Sequence, residues 1–428
     1  MKMNPQRSKV LILGGGAAGI FSSIQLAELV KGDGDTEKKI EISVYEKSES
    51  PLGKVKISGG GRCNVTHNLF SEEELSHKYP RGSRELKYAF IKFQPRDTIQ
   101  WFKKHGVELK AEEDGRMFPI SNSSSTIINC FLKEIKNNDI QLITKTGITS
   151  IYFQSEEGRN VFHLTNESGE VVTADALLIA SGSNRKVWTK IQAMGHKIEE
   201  PVPSLFTFNV PDSPYQELPG ISVPHVEVKI LPKGKLQSGP LLITHWGFSG
   251  PAILKLSAYE ARELAERNYE SEFQINWLPN HSSESLFTYL NDMRVQNPQK
   301  SVQSTSLFQF PSRLTDTFFQ LSNISESKRW AEVSNEEIRS LIGTLRETKL
   351  KMSGKTTFKE EFVTCGGIKR SEVNFETMES KKIPGLFFAG EVLDVDGITG
   401  GFNFQNAWTT GFIAANGIKL YLQKHKIM

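Results

Sequence analysis

The feature that most constrains the fold is a glycine-rich segment near the start of the chain. The segment GGGAAG at residues 14–19 follows a continuous apolar run at 9–13 and precedes the helical apolar spacing of residues 20–30. A G-x-G-x-x-G pattern between a buried strand and a helix is typical of a dinucleotide-binding βαβ unit. Its glycines permit a tight turn, close approach of the backbone to a pyrophosphate, and close packing of helix on strand.

A second predicted strand completes the unit and ends in an acidic residue. This strand is Ile40 to Tyr45, and Glu46 follows it directly. A carboxylate at this position accepts hydrogen bonds from the hydroxyls of an adenosine ribose. Its separation from the glycines exceeds the usual ~20 residues, and the polar loop at 31–39 accounts for the excess. A bound dinucleotide is therefore favoured over a glycine-rich turn without a ligand.

Three later segments favour FAD over a nicotinamide alone. Residues 51–64 (PLGKVKISGGGRCN) are too rich in glycine for ordinary structure, and Ala180-Ser181-Gly182 ends a buried strand. The segment FAGE at 388–391 ends another strand, and GGFN at 400–403 begins a helix. One ligand reached from the first strand, the middle and the far end of a chain is typical of FAD-dependent enzymes. A dehydrogenase that uses only NAD needs none of the late segments.

Charge and cysteine content exclude several other classes of protein. The 52 Lys and Arg exceed the 49 Asp and Glu by only three in 428 residues, which argues against a protein that grips nucleic acid mainly through charge. Cys63, Cys130 and Cys365 are far apart, so we expect no disulfide framework, no dithiol of neighbouring cysteines and no metal site. No signal segment and no apolar run of ~20 residues is present, which predicts a cytoplasmic protein without a membrane partner.

Changes of composition along the chain predict a discontinuous domain. Residues 1–195 and 350–428 have the alternating strand and helix pattern of an α/β domain. Residues 196–280, with a return strand near 345–355, carry prolines and short strands of an inserted β domain, and residues 281–345 are polar and helical. Within the first domain, period-2 patterns predict an antiparallel meander of three strands: Asp139 to Thr146, Ile148 to Gln154, and Val161 to Thr165.

Several segments together resemble one family. They are ISGGGRCNVTHN at 57–68, DGRMFPIS at 114–121, THWGFSGPA at 244–252, and the run from FVTCGGIKR to FNFQNAWTTG at 362–411. These segments resemble the bacterial YhiN/BaiN-type flavoproteins, also labelled aminoacetone-oxidase-like, and the match runs nearly end to end. The resemblance implies a glutathione-reductase-type, Rossmann-like FAD domain interrupted by an inserted β-barrel and a small helical subdomain.

The resemblance also implies which residues contact the cofactor. The ADP half of FAD would meet Gly14, Gly16, Ala17, Ala18, Gly19, Glu46 and Lys47, with backbone contacts to adenine from Ile148. The flavin and its ribityl chain would meet Arg62, Cys63, Asn64, Glu391, Gly401, Phe402 and Asn403. The glycine-rich segments described above add Lys54, Gly60, Ala180, Ser181, Gly182 and Gly390. A helix beginning near Gly401 would direct its positive end at the flavin pyrimidine and favour the anionic reduced form. Two positions, His67 and Pro240, depart from the family pattern, which has Asn and Glu there.

The catalytic candidates are weaker than the cofactor site. His245 lies in a glycine-flanked loop and could transfer protons, although a hydrogen-bonded structural histidine is the favoured interpretation. Arg62 and Arg116 could bind an anionic substrate or a flavin phosphate, or Arg116 could simply pair with Asp114. Cys63 suggests a thiol–flavin role, but no partner cysteine is near it in sequence, and backbone support of the cofactor is favoured.

These features lead to a functional hypothesis with two alternatives. The hypothesis is a soluble flavoprotein oxidoreductase that binds FAD noncovalently and transfers hydride between flavin N5 and a small-molecule substrate or NAD(P)H. No second strand–GxGxxG–helix unit exists, so NAD(P)H would be a transient electron donor. One alternative is an FAD-dependent tRNA-modifying enzyme, against which stand the weak net charge and the lack of a basic, aromatic-interleaved stripe. The other is an FAD-binding protein without catalysis.

Overall fold

Two separate stretches of the chain build one α/β unit in the computed structural model, which describes residues 8–31, 40–156, 159–356 and 363–425. This first unit comprises Met1–Val202 and Val363–Met428, and the second unit is Pro203–Phe362. The divisions thus lie at 202 and 363, where the sequence predicts 195 and 350. Two strands at 348–356 pair with strands of the second unit, near residues 345–355, where the sequence predicts a return strand of the inserted β domain.

The secondary structure has the following bounds. The strands are β1 (Ser8–Leu13), β2 (Ile40–Tyr45), β3 (Thr66–His67), β4 (Leu109–Ala111), β5 (Arg116–Pro119), β6 (Gln141–Ile143), β7 (Ile148–Glu156), β8 (Arg159–Asn166), β9 (Val171–Ala174), β10 (Ala176–Ile179), β11 (Ile198–Ser204), β12 (Thr207–Asn209), β13 (Ser222–Ile230), β14 (Gln237–Thr244), β15 (Gly247–Ser249), β16 (Glu270–Asn276), β17 (Thr348–Ser353), β18 (Lys355–Thr356), β19 (Val363–Ile368), β20 (Val373–Asn374), β21 (Glu379–Ser380) and β22 (Leu386–Phe388). The α-helices are α1 (Ala17–Lys31), α2 (Gly53–Gly61), α3 (Glu72–Ser76), α4 (Ser83–Lys92), α5 (Pro95–Lys104), α6 (Ser124–Asn137), α7 (Arg185–Ala193), α8 (Pro251–Tyr259), α9 (Ala261–Glu266), α10 (Ser283–Gln296), α11 (Ser312–Leu321), α12 (Asn335–Glu347) and α13 (Phe402–Lys424).

A seven-stranded sheet forms the centre of the first unit, in the order β20-β21-β22-β10-β1-β2-β6. The five strands from β22 to β6 are parallel. Strands β10 and β22 are buried at every residue, as expected of parallel strands covered on both faces. The sequence places residues 139–146 in an antiparallel meander, and this expectation is wrong. Residues 141–143 instead pair in parallel with β2, because the hydrophobic alternation of a strand does not specify its partner.

Helices α1 and α13 pack together on this unit. Gly411 lies in the interior of α13, and a Cβ atom there would be 2.9 Å from Ser22 Oγ and 3.2 Å from the carbonyl oxygen of Ala18. The glycine therefore lets the two helices approach closely. Two smaller antiparallel sheets, β3-β5-β4 and β7-β8-β9, and the β11-β19 pair complete the strands of the unit.

The second unit contains an antiparallel sheet in the order β17-β16-β13-β14-β15-β12-β18, together with helices α8 to α12. Phe208, Phe248 and Phe273 from three of its strands are fully buried, and the ring of Phe273 contacts each of the other two edge to face. Its closure into a barrel stays a prediction. No helix within the described ranges of either unit is long and apolar enough to cross a membrane.

A histidine joins three helices of the first unit. The His105 Nδ1–H donates to the carbonyl oxygen of Trp101 in α5, and Nε2 lies 2.8 Å from Glu28 Oε1 in α1 and 4.0 Å from Glu134 Oε2 in α6. Burial alone would lower the pKa of His105, but the hydrogen bonds to Glu28 and Trp101 outweigh it and raise that pKa. In the same pair, burial would raise the pKa of Glu28, but the hydrogen bond and charge of His105 lower it.

This pair predicts a pH-dependent contribution to stability. Because the pKa of His105 is raised in the folded state, its stabilising effect is fully present below pH 6.5, the ordinary pKa of histidine. The effect is lost as the pH rises through the pKa of the folded state. Because the pKa of Glu28 is lowered in the folded state, its stabilising effect is fully present above pH 4.5, the ordinary pKa of this carboxyl group. The effect is lost as the pH falls through the pKa of the folded state. We expect His105→Gln to cost about 1.5–3 kcal/mol near pH 6 and clearly less at pH 8.5. Urea unfolding at both pH values checks this, with the exposed His225→Gln as control; a cost independent of pH would contradict it.

Candidate functional site

The carboxyl ends of three parallel strands meet at one edge of the main sheet. Leu13 at the end of β1 lies beside Ile179 at the end of β10, which in turn lies beside Phe388 of β22. The segments that follow these strands are therefore neighbours, although they lie far apart in sequence. In open α/β sheets, ligands bind in the crevice outside the carboxyl ends of such strands.

The glycines after β1 form a cradle whose positions have different roles. Gly14 adopts a φ of +118°, and a Cβ atom there would be 2.4 Å from the carbonyl oxygen of Ala180. At Gly19, a Cβ atom would be 2.0 Å from the carbonyl oxygen of Gly14, so this glycine is needed for packing. A Cβ atom at Gly16 would meet no atom within 4 Å. Gly16 therefore borders open space, into which a ligand can bring its phosphates against the backbone.

Two further groups at the cradle suit a dinucleotide. Within the described part of the chain, the N–H groups of Gly16, Ala17 and Ala18 at the start of α1 have no hydrogen-bond acceptor. Free N–H groups at a helix N-terminus bind phosphate. Glu46 accepts from the N–H of Gly15 at 2.8 Å through Oε2 and from that of Ser48 at 2.8 Å through Oε1. Its carboxylate is thus fixed at the cradle, and each oxygen keeps a lone pair for a ribose hydroxyl.

The adenine-side residues lie next to Glu46. The N–H of Thr146 donates to the Glu46 carbonyl oxygen at 3.0 Å, and Ile148 begins β7 two residues later. Lys47, the next residue after Glu46, is exposed. Ser181, just after β10, has a buried hydroxyl with no hydrogen-bond partner among the described residues. A polar group of this kind is expected to find a partner when a ligand is present.

The segment after β2 returns to the cradle. The N–H of Leu52 donates to the carbonyl oxygen of Gly15 at 2.8 Å, which fixes the start of α2 beside it. The helix breaks at residues 58–60, where Gly59 and Gly60 have φ of 58° and 69°. A Cβ atom at Gly60 would meet nothing within 4 Å. Gly60 therefore also borders open space.

Lys54 in the first turn of α2 forms an ion pair with Glu391, which follows β22. The other carboxylate oxygen of Glu391 accepts from the N–H of Thr364 at 3.1 Å. Glu391 also neighbours Gly182, since a Cβ atom there would be 3.7 Å from Glu391 Oε2. Four of the residues predicted to bind the cofactor, Lys54, Gly182, Gly390 and Glu391, are therefore brought together.

The amino end of α13 forms the far side of the site. Gly401 adopts a φ of +88°, and a Cβ atom there would be 2.5 Å from the carbonyl oxygen of Thr66. In the amide orientation that satisfies both groups, Asn64 accepts from the N–H of Gly401 at 2.9 Å and donates to the Thr66 carbonyl oxygen at 3.0 Å. Asn403 bonds the N–H and the carbonyl oxygen of Gly397 at 2.8 and 2.9 Å. Both amides thus hold the loops in place, while the N–H groups of Phe402, Asn403 and Phe404 have no acceptor among the described residues.

Sequence reasoning missed a buried polar network beneath this helix end. Gln405 Oε1 accepts from the hydroxyls of Thr66 at 2.6 Å and Thr98 at 2.9 Å, and Gln405 Nε2 donates to the hydroxyl of Thr409 at 3.0 Å. All four side chains are buried. The network fixes α13 against β3 and α5. The available signal was a group of four polar residues, Gln405, Asn406, Thr409 and Thr410, in a helix that is otherwise largely apolar.

The two candidate arginines are already paired with carboxylates. Arg62 lies 2.5 Å from Glu112 and 4.0 Å above the ring of Phe118. Arg116 lies 2.7 Å from Asp114 and 3.0 Å from Glu112. The pairing of Arg116 with Asp114 is the plainer of the two sequence interpretations. Each arginine side chain keeps about a third of its surface exposed, so both side chains still border solvent.

The other titratable candidates have different surroundings. Cys63 is fully buried with a φ of +62°, and burial raises the pKa of its thiol to about 12, which disfavours a reactive thiolate. His67 stacks on the ring of Phe402 and bonds the carbonyl oxygen of Asp114 at 3.0 Å, and burial lowers its pKa. The His67 side chain is therefore a neutral imidazole near pH 7. His245 is exposed at the tip of the β14–β15 hairpin in the second unit.

Comparison with known proteins shows relatives along nearly the whole chain. A family model described as "HI0933-like protein Rossmann domain" matches residues 8–417. A ribosomal RNA dihydrouridine synthase of Escherichia coli K12 is 29% identical, with 96% of this chain and 98% of that protein covered. A 3-dehydro-bile acid Δ(4,6)-reductase of Clostridium scindens is 25% identical, with 95% and 98% covered.

Comparison with solved structures finds matches at low sequence identity and with TM-scores below 0.5. The 3-ketosteroid-Δ4-(5α)-dehydrogenase of Rhodococcus jostii RHA1, in complex with 4-androstene-3,17-dione, has a TM-score of 0.48 and 13% identity, with 97% of this chain and 98% of that chain covered. A flavocytochrome c3 fumarate reductase has a TM-score of 0.45 and 14% identity, with 98% and 79% covered.

Proposed function

Because the chain belongs to the HI0933-like family of Rossmann-fold flavoproteins, we propose that it is an FAD-dependent reductase of carbon–carbon double bonds conjugated to a carbonyl group. The observation that carries the proposal is the cradle at the sheet edge, where Gly16 borders open space and the first N–H groups of α1 have no acceptor. The carboxylate of Glu46 beside it suits the ribose of the same dinucleotide. These groups support FAD as the ligand of the cradle.

The reaction class is taken from what two full-length relatives share. Dihydrouridine is uridine with its C5–C6 double bond saturated, and that bond is conjugated to the C4 carbonyl group. A Δ(4,6)-reductase of a 3-dehydro-bile acid acts on double bonds conjugated to a 3-oxo group. The names of both relatives thus describe addition of two hydrogens to an electron-poor double bond. This common chemistry supports the proposal for the present chain better than either substrate alone.

The residues of the chain have separate tasks in this proposal. When bound, FAD supplies hydride from N5 of its reduced ring to an electron-poor carbon. The N–H groups of Gly16 to Ala18 hold the diphosphate, and Glu46 holds the adenosine ribose. The N–H groups of Phe402 to Phe404 lie at the positive end of a 23-residue helix. They stabilise negative charge near the reacting end of the cofactor. The network around Gln405 fixes that helix end in position.

A uridine in ribosomal RNA is the second candidate substrate. Two relatives, from E. coli and Haemophilus influenzae, carry the name ribosomal RNA dihydrouridine synthase at 29% and 28% identity, and both are covered almost completely. The names of these relatives favour RNA, whereas the net charge of only +3 argues against binding that depends mainly on charge. A small 3-oxo compound with a conjugated double bond is the first candidate, and NADH or NADPH is the proposed electron donor in both cases.

The test begins with the visible spectrum of the purified full-length protein. We expect flavin bands that bleach anaerobically on addition of NADH or NADPH. The reduced protein is then mixed with 4-androstene-3,17-dione or with unmodified ribosomal RNA, and reoxidation is followed with mass spectrometry of the products. Product heavier by two hydrogens from either acceptor supports the proposal and selects the substrate class. A protein that binds no FAD would overturn it, as would a reduced flavin that neither a conjugated enone nor RNA reoxidises.

A further inference from the structure

The Lys54–Glu391 ion pair joins two segments that border the candidate cofactor crevice. Lys54 belongs to the segment after β2, and Glu391 to the segment after β22. Between those two strands in the sheet lie β1 and β10, whose carboxyl ends carry the glycine cradle and Ser181. The pair therefore spans the crevice opening at which a dinucleotide would enter.

The two partners of this ion pair differ in how firmly they are held. Glu391 Oε1 is bonded by the N–H of Thr364, and the Glu391 side chain is 21% exposed. The Lys54 side chain is 51% exposed, and a half-exposed lysine on a flexible stem can exchange partners at little cost. Its backbone does not need to move, because Leu52 holds the start of α2 to the carbonyl oxygen of Gly15. Lys54 thus pairs with a fixed carboxylate, in a helix whose start is held to the glycine turn that precedes α1.

We propose that Lys54 recognises the diphosphate of FAD and that its ion pair with Glu391 is the arrangement it leaves on binding. The inference rests on the proposed FAD site. A diphosphate at the N-terminus of α1 carries more negative charge than one carboxylate, so it competes successfully for the Lys54 ammonium group. The exchange frees Glu391 Oε2 to accept a ribityl hydroxyl. Lys54 therefore selects for ligands that carry a diphosphate over riboflavin.

The exchange has a consequence that a merely structural ion pair would not have. If Glu391 competes with the diphosphate for Lys54, removal of the Glu391 charge improves binding of a diphosphate ligand that lacks a ribityl chain. ADP is such a ligand. Glu391→Gln retains an oxygen for the Thr364 N–H and removes only the charge. Its effect on ADP affinity must disappear when Lys54 is also replaced.

The experiment measures dissociation constants of FAD, ADP and riboflavin for the full-length protein after removal of its flavin. We expect Lys54→Met to weaken FAD and ADP about tenfold, or about 1.4 kcal/mol, and to leave riboflavin unchanged. Lys56→Met is the matched control, since Lys56 is an exposed residue of the same helix. Glu391→Gln is expected to tighten ADP about threefold, and the double variant should bind ADP as weakly as Lys54→Met alone.

Each failure has a distinct meaning. If Lys54→Met changes ADP affinity no more than Lys56→Met does, Lys54 does not recognise the diphosphate and the inference is wrong. If Glu391→Gln leaves ADP affinity unchanged or weaker, the two groups do not compete and the exchange is wrong. If the unaltered protein binds neither FAD nor ADP, the proposed function fails instead. All readouts are binding constants, so none depends on a known substrate.

Discussion

Replacing Gly16 by valine is expected to weaken FAD binding more than 100-fold while the unliganded protein keeps its thermal midpoint. A Cβ atom at Gly16 meets no protein atom within 4 Å, so the fold tolerates the added side chain. The isopropyl group would instead occupy the space beside the free N–H groups of α1, where the diphosphate is proposed to bind. A hundredfold loss corresponds to about 2.8 kcal/mol of binding free energy. Fluorescence titration with FAD and calorimetry of the apoprotein measure the two quantities separately.

Gly19→Ala is the matched control, with the opposite expected pattern. The new Cβ atom would lie 2.0 Å from the carbonyl oxygen of Gly14, and Gly14 itself is packed against Ala180. Backbone atoms cannot yield as a side-chain end can, so we expect a loss of about 3 kcal/mol or more in unfolding free energy. If Gly16→Val destabilises the apoprotein as much as Gly19→Ala, or if it retains FAD, the cradle does not act as described.

Replacing Asp396 by alanine is expected to cost about 3–5 kcal/mol of unfolding free energy. Asp396 is fully buried and accepts from both Arg81 Nε, at 2.5 Å, and the Arg81 terminal amino group. The Arg81 side chain is only 11% exposed, so the variant removes the carboxylate that forms two hydrogen bonds with a nearly buried guanidinium. Because Asp396 lies in the loop between Glu391 and Gly401, FAD affinity should fall with stability. Urea unfolding measures this loss, provided that the dependence of the unfolding free energy on urea concentration has the same slope in both proteins.

Asp394→Ala provides the comparison for this prediction. Asp394 pairs with Arg370 at 2.6 Å, but the Arg370 side chain is 29% exposed and also lies 3.5 Å from Glu85. Water and Glu85 can compensate the charge of Arg370, so we expect a loss of only about 1–2 kcal/mol. Equal losses in the two variants would show that burial of the arginine does not set the cost.

Local patterns predicted the parts of the fold that are continuous in sequence. The strand, glycine turn and helix at the start of the chain have the expected bounds within three residues, and β2 spans residues 40–45 as predicted. Glu46 lies at the cradle, as its position after a parallel strand indicated. Each of these features is specified by neighbours along the chain, through hydrophobic periodicity and turn chemistry.

Features that depend on distant partners could not be predicted in this way. Gln405 bonds residues 339 and 307 positions away, and Lys54 pairs with a residue 337 positions away. No local pattern specifies such a partner. The assignment of residues 139–146 to a meander was wrong for the same reason, since only the tertiary fold places β6 beside β2. The meander itself consists of β7, β8 and the unpredicted β9.

The strand order of the main sheet has a consequence for biosynthesis. Strand β22 lies beside β10, yet residues 180–385 separate them in the chain, and α13, which packs on α1, follows later still. At a ribosomal rate of ~5–20 residues per second, the nascent β10 waits about 10–40 s for its neighbour. During that interval the edge of β10 is unpaired, and its apolar residues, which are buried in the folded protein, are exposed. We therefore expect the emerging polypeptide to bind chaperones. Capture of the flavin is then an event that follows the synthesis of β22 and α13.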